Sequence, residues 1–217
     1  MKGIFITIEG PEGSGKTSLI KGLLPLLKEY FNISIMSTRE PGGTFLAEKI
    51  RHIIFDLQSE KMDAKTESLL FAASRREHLV KKIFPALKKG RFVIADRFVD
   101  SSLAYQGVGQ NLGIKTIATL NTFVTEGLKP DLTLYLDLKP KMGLARIKQN
   151  RANEVNRFDL SDLEFHQRVH KGYLEIAKEN PKRVVVINAH QILAKVIKES
   201  FEVIVRRFPK RSFLEEK

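Results

Sequence analysis

Residues 8–19 read IEGPEGSGKTSL, and this stretch decides the fold. Gly10 is followed by four residues and then by Gly15, Lys16 and Thr17, the spacing G-x-x-x-x-G-K-[ST]. Glycines at those two places let the backbone turn so that its N–H groups face phosphate oxygens. The lysine reaches the β- and γ-phosphates and the threonine hydroxyl binds Mg2+. The β-rich run before the loop and the helical pattern after it are the setting such a phosphate loop requires. Gly10, Pro11, Glu12, Gly13, Ser14, Gly15, Lys16 and Thr17 are therefore the expected ATP-binding residues.

Outward from the loop, strand and helix alternate. Apolar or β-branched runs stand at 3–8, 33–38, 91–95, 132–138 and 183–187, and apolar residues recur at three- and four-residue steps within 65–88 and 191–205. Five strands separated by helices predict an α/β fold, a parallel sheet covered by helices on both faces. Ligands then lie beyond the carboxyl ends of the strands. Pro25 falls inside the helix expected from about Gly15 to Tyr30, so a kink near 21–25 or an early end is predicted.

The chain has 217 residues, no cysteine and a formal charge of +12. That length suits one domain. The missing cysteines exclude disulfides, thiolate metal sites and a cysteine nucleophile, and fit a cytoplasmic protein. No apolar run approaches the ~20 residues that cross a bilayer, and the N-terminal run reads as a buried strand, not a leader. The positive charge, part of it in RRFPKR at 206–211, attracts polyanions without separating nucleotide from nucleic acid.

Three further groups carry chemistry. FVIADRF at 92–98 is an apolar strand ending in Asp96, where an acid would hold the magnesium shell beside Thr17. Arg97 follows at the ligand-facing edge and suits a second phosphate group. Glu9 ends the first strand, so close to phosphates that it needs a cation or a sugar hydroxyl as partner. In FAASRRE at 71–77, Phe71 and Arg75 are four apart on one helical face. A ring and a guanidinium in reach of each other suit a nucleobase, although a phenylalanine at that spacing is more often core. No N-K-x-D element for guanine is present.

With EGPEGSGKT at 9–17, TREPGGT at 38–44, FAASR at 71–75, DRFVDSSLAYQG at 96–107 and PDLTLYLD at 130–137, the chain resembles the thymidylate (dTMP) kinases, P-loop nucleoside-monophosphate kinases. The second and fourth stretches are the specific ones. The resemblance implies the three-layer P-loop NTPase fold, a single kinase domain over 1–217 with a small lid at 146–159, and transfer of the ATP γ-phosphoryl to dTMP. It implies that Phe71 stacks on thymine while Arg75 bonds its carbonyl edge. Arg39 and Arg97 would hold the dTMP phosphate. Ser101, Tyr105 and Gln106 would line base and deoxyribose, and Glu9 would meet the sugar 3′-hydroxyl or the metal shell. Lys16, Arg97 and Glu9 are the expected catalytic residues together with a lid arginine. None of Pro11, Glu12, Gly13 and Ser14 is an arginine, so the lid must supply the one that meets the transferring phosphoryl, as in many bacterial enzymes of this kind. Arg151 is the first choice, with Arg146 and Arg157 as rivals. ATP and dTMP are the expected partners, with Mg2+ as cofactor, no nucleic acid, no membrane, and a second copy of the chain in a homodimer whose interface is sought near 114–124. A kinase for another nucleoside or nucleotide, or a P-loop ATPase that binds nucleic acid through its basic surface, remains the alternative.

Overall fold

The computed structural model describes residues 3–59, 62–150 and 157–210. Five parallel strands, β1 (Ile4–Glu9), β2 (Ile35–Arg39), β3 (Phe92–Asp96), β4 (Leu132–Asp137) and β5 (Val184–Asn188), form one sheet in the order β2-β3-β1-β4-β5. Each lies within two residues of its sequence-predicted run. The register pairs Ile8 and Arg39 with Asp96, and Glu9 with Tyr135. The strand tips carrying Glu9, Arg39 and Asp96 therefore end side by side, which is what brings dispersed polar residues to one edge.

Helix α1 (Lys16–Phe31) leaves the phosphate loop through Gly15 and buries Leu19, Leu23, Leu27 and Phe31. These pack with Ile6, Ile94, Leu134 and residues of α9 (Leu193–Arg207) into the largest core cluster. The predicted early end at Pro25 is not seen: α1 continues through it and stops at Asn32, whose φ of 53° closes the helix in the left-handed region. Apolar burial on both sides of Pro25 outweighs the lost hydrogen bond. The single helix expected over 65–88 is divided. Helix α3 (Ala64–His78) begins at an Asp63 cap and widens to a π-turn at Leu79–Ile83 before α4 (Phe84–Lys88). Pro85, with no N–H to donate to the preceding turn, explains the widening.

The other face carries α2 (Phe45–Phe55, capped by Thr44), α5 (Val99–Ser102) running into a π-turn at Leu103–Gly109, α6 (Ile114–Thr125), and α8 (Leu163–Glu179, capped by Asp162). Helix α7 (Pro140–Asn150) crosses the phosphate loop at a very close approach. A Cβ on Gly13 would stand 2.3 Å from the Gly143 carbonyl oxygen, and one on Gly143 would stand 2.2 Å from that of Glu12, so both positions require glycine.

Candidate active site

The phosphate loop closes on Lys16, whose Nζ donates to the carbonyls of Gly10 (3.1 Å) and Pro11 (3.0 Å). Burial, and next the charge of Arg97, lowers its ammonium to about 8, against the pull of Glu12, Asp96 and Glu9. The Thr17 hydroxyl donates to Asp96 Oδ2 at 3.2 Å, so the two expected metal-shell residues do meet. A broad groove extends from the loop over Lys21, Arg39, Arg51, Lys82, Asp96, Arg146 and Gln191.

Beside it lies a smaller pocket, with Phe55, Phe71, Tyr105 and Phe158 as aromatic walls and Arg75, Ser101, Ser102 and Gln106 as polar ones. Glu12, Glu40, Phe55 and Arg97 line both spaces. Arg97 is thus the hinge of the site. Its φ of 72° is unusual for a side-chain-bearing residue, and its N–H is held by Ile8 O at 3.0 Å. Its guanidinium contacts Glu12 (2.7 Å), Gly10 O, Ser101, Tyr173 and Tyr105. Burial works against its charge, but Glu12, Tyr105, Tyr173 and Asp96 together more than restore it.

Glu9 is fully buried under this arginine. It accepts from Phe98 N (2.7 Å), Ser101 Oγ (2.5 Å) and Tyr173 OH (3.2 Å). Burial, with the nearby charge of Asp100, pushes its carboxyl up to about 7 despite Ser101, Arg97 and the Phe98 N–H. Arg39 extends into the groove and forms a two-toothed pair with Glu48 (2.8 and 3.0 Å). Although burial opposes it, the Gly43 N–H and Arg39 hold that carboxyl below its usual range.

Phe71 and Arg75 both reach the cavity, as their shared helical face predicts, but they are built in differently. Phe71 faces the Phe158 ring at 6.1 Å. Arg75 is almost wholly buried. It gives Nε to Glu40 (2.7 Å), Nη1 to Ser102 and Asn121, and Nη2 to Phe98 O (3.0 Å). Of its five N–H groups, one on Nη2 has no partner among the described residues. His78 backs the arrangement, bonding Glu40 through Nδ1 (3.0 Å) and Thr38 through Nε2.

Of the three arginines expected in a lid, Arg151 lies outside the described residues. Arg146 reaches Ala189 O (3.2 Å) and Gly13 O (3.5 Å), beside the phosphate loop. Arg157 is turned away from the groove and buried against Glu67 Oε2 and Ile54 O. Sequence reasoning passed over Glu40, Arg51, Phe158 and Tyr173. Glu40 and Arg51 had a usable signal, the first inside TREPGGT and the second one turn after Glu48. Nothing near Tyr173 in sequence marks it, because its partners are Glu9, Arg97 and Ser101.

A phosphate loop joined through a shared arginine to a second, aromatic-lined pocket is the arrangement of a P-loop phosphotransferase with a nucleotide acceptor. The thymidylate kinase family model matches residues 8–204. The thymidylate kinase of Enterococcus faecalis is 51% identical over 209 residues, covering 96% of this chain and 99% of its own. That of Bacillus cereus is 50% identical over 204 residues, covering 94% and 98%. The crystal structure of thymidylate kinase from Ehrlichia chaffeensis superposes with a TM-score of 0.77 at 36% identity, covering 94% of this chain and 99% of that one. The chain belongs to the thymidylate kinase family and is a nucleoside-monophosphate kinase.

Proposed function

We propose that the chain moves the ATP γ-phosphoryl to the phosphate of dTMP, giving dTDP and ADP, with the groove as donor site and the aromatic-lined cavity as acceptor site. The observation that carries this reading is their common wall at Arg97 and Glu12. An ionised oxygen of the acceptor phosphate attacks the γ-phosphorus, and the bond to the β–γ bridging oxygen breaks as ADP leaves. No proton has to be removed, so no general base is required. What the reaction needs is alignment and positive charge. Lys16 and the loop N–H groups hold the donor phosphates. Arg97, with Arg39 and Arg51 at the groove wall, holds the acceptor phosphate. Phe71 stacks on the base, Arg75 donates to its C4 oxygen, and Ser101, Tyr105 and Gln106 enclose base and deoxyribose. The oxygen donors Thr17 and Asp96 fit Mg2+, which binds through one or two protein oxygens together with substrate phosphates. When bound, the ion neutralises charge on the β- and γ-oxygens. A lid within 146–159 contributes the arginine that meets the transferring group, Arg151 by the sequence reading.

A pocket with four aromatic walls and Arg75, Ser101 and Gln106 beside them suits a single base of a mononucleotide. No helix among the described residues is long and apolar enough to cross a membrane. The substrates, ATP and a nucleoside monophosphate, support a cytoplasmic setting. Exposed Phe45, Leu46, Ile53, Leu69 and Phe123 on the neighbouring helices α2, α3 and α6 support a homodimer through that face, which includes the predicted 114–124 stretch. ADP release measured with dTMP, with DNA and with neither tests the function. Release dependent on dTMP is expected, and release driven by DNA would overturn it.

A further inference from the structure

The base-reading polar atoms are held by a carboxylate that touches no substrate. Glu67, on the first turn of α3, is completely buried and does not line the cavity. Its Oε1 accepts from Gln106 Nε2 (2.7 Å) and Gln110 Nε2 (2.9 Å), and its Oε2 pairs with Arg157. Arg157 also donates to Ile54 O and lies over the Phe158 ring. The ionised form that this pairing stabilises can only accept hydrogen bonds. The amide nitrogen of Gln106 must therefore face Glu67, and its Oε1 must point the other way. Gln106 lines the cavity, and Oε1 accepts from no group among the described residues.

We infer that Glu67 is a positioning residue that fixes the hydrogen-bond polarity of the acceptor cavity. It turns Gln106 so that an acceptor, Oε1, is offered to the ring N3–H of a 4-oxo pyrimidine, while the remaining Arg75 N–H meets the C4 oxygen. Cytosine presents the opposite pattern at both atoms, an acceptor at N3 and a donor at C4, and so is refused twice. Arg157 is the buried counter-charge of that carboxylate. This inference rests on the reading of the cavity as a dTMP site.

Glu67→Gln removes the constraint, because an amide at 67 can accept from or donate to Gln106 equally well. The ratio of kcat/KM for dTMP over dCMP is measured in the wild type, in Glu67→Gln, and in Glu67→Gln combined with Arg157→Gln, which leaves no unpaired buried charge. Partial unfolding lowers both activities alike and leaves the ratio unmoved. The expected result is a fall in the ratio of about tenfold or more in the variants, carried by the acceptor, with the KM for ATP unchanged. A wild-type ratio near one would overturn the assignment of the cavity itself. A large wild-type ratio preserved in both variants would overturn only the role of Glu67.

Discussion

The proposed donor and acceptor sites differ in how they are built. The donor site is written in eight consecutive residues, Gly10 to Thr17, and its working groups are largely backbone N–H groups shaped by Gly13 and Gly15. The acceptor site is assembled from residues as far apart as Glu12 and Phe158, and its polar side chains are oriented by other side chains. A short loop suffices to bind phosphates because every nucleotide carries the same ones. Telling one base from another requires atoms fixed in direction, the role proposed here for the buried chains Thr38–His78–Glu40–Arg75 and Arg157–Glu67–Gln106.

The largest effect should fall where the two sites meet the lid. Arg151→Ala should lower kcat by roughly 10³–10⁵ with little change in either KM, the signature of an interaction made in the transition state. Arg157→Ala should do the reverse. It leaves Glu67 buried and unpaired, so the melting temperature should drop by an amount equivalent to about 3–5 kcal/mol, while kcat measured well below that temperature stays within about tenfold. Side-by-side kinetics and melting curves decide between them. A collapse of kcat in Arg157→Ala with Arg151→Ala active would exchange the two roles.

That ambiguity shows where the sequence stops being informative. All five strands and the paired Thr17 and Asp96 were legible, because apolar alternation and loop spacing are local properties. The shared face of Phe71 and Arg75 was legible as helical geometry. The commitment of Arg157 to Glu67 was not, since the two are ninety positions apart and neither stands in a distinctive motif. Nor was the continuation of α1 through Pro25 to Phe31, where packing overrides the local preference for an early end.

Glu9 gives a pH test of intermediate size. Its folded pKa, about 7, lies above the ordinary 4.5. The native state therefore disfavours its ionised form, a handicap absent below about pH 4.5 and complete above about pH 7. Replacing it by glutamine removes that handicap. The melting temperature of Glu9→Gln relative to wild type should rise from pH 5 to pH 8, by up to roughly 3 kcal/mol in equivalent free energy. A difference that is flat or falling with pH would mean Glu9 is charged in the fold throughout.

A smaller effect is expected at the common wall. Glu12 holds Arg97 at 2.7 Å and also accepts from Tyr105 OH at 3.0 Å. An incoming acceptor phosphate must share that arginine. Glu12→Gln should therefore lower the KM for dTMP severalfold, corresponding to about 1 kcal/mol, with the KM for ATP nearly constant. A rise in the dTMP KM would show that Glu12 shapes the cavity more than it competes for Arg97.

The contrast between a generic donor loop and a base-reading acceptor cavity is tested most directly by acceptor competition in the unmodified enzyme. With ATP saturating, kcat/KM is compared for dTMP, dCMP and AMP. The account predicts that dTMP exceeds each of the others by about 100-fold or more, because the wrong base leaves buried donors and acceptors unpaired. Values within a few-fold of one another would contradict it and reduce the cavity to a hydrophobic slot that recognises size alone.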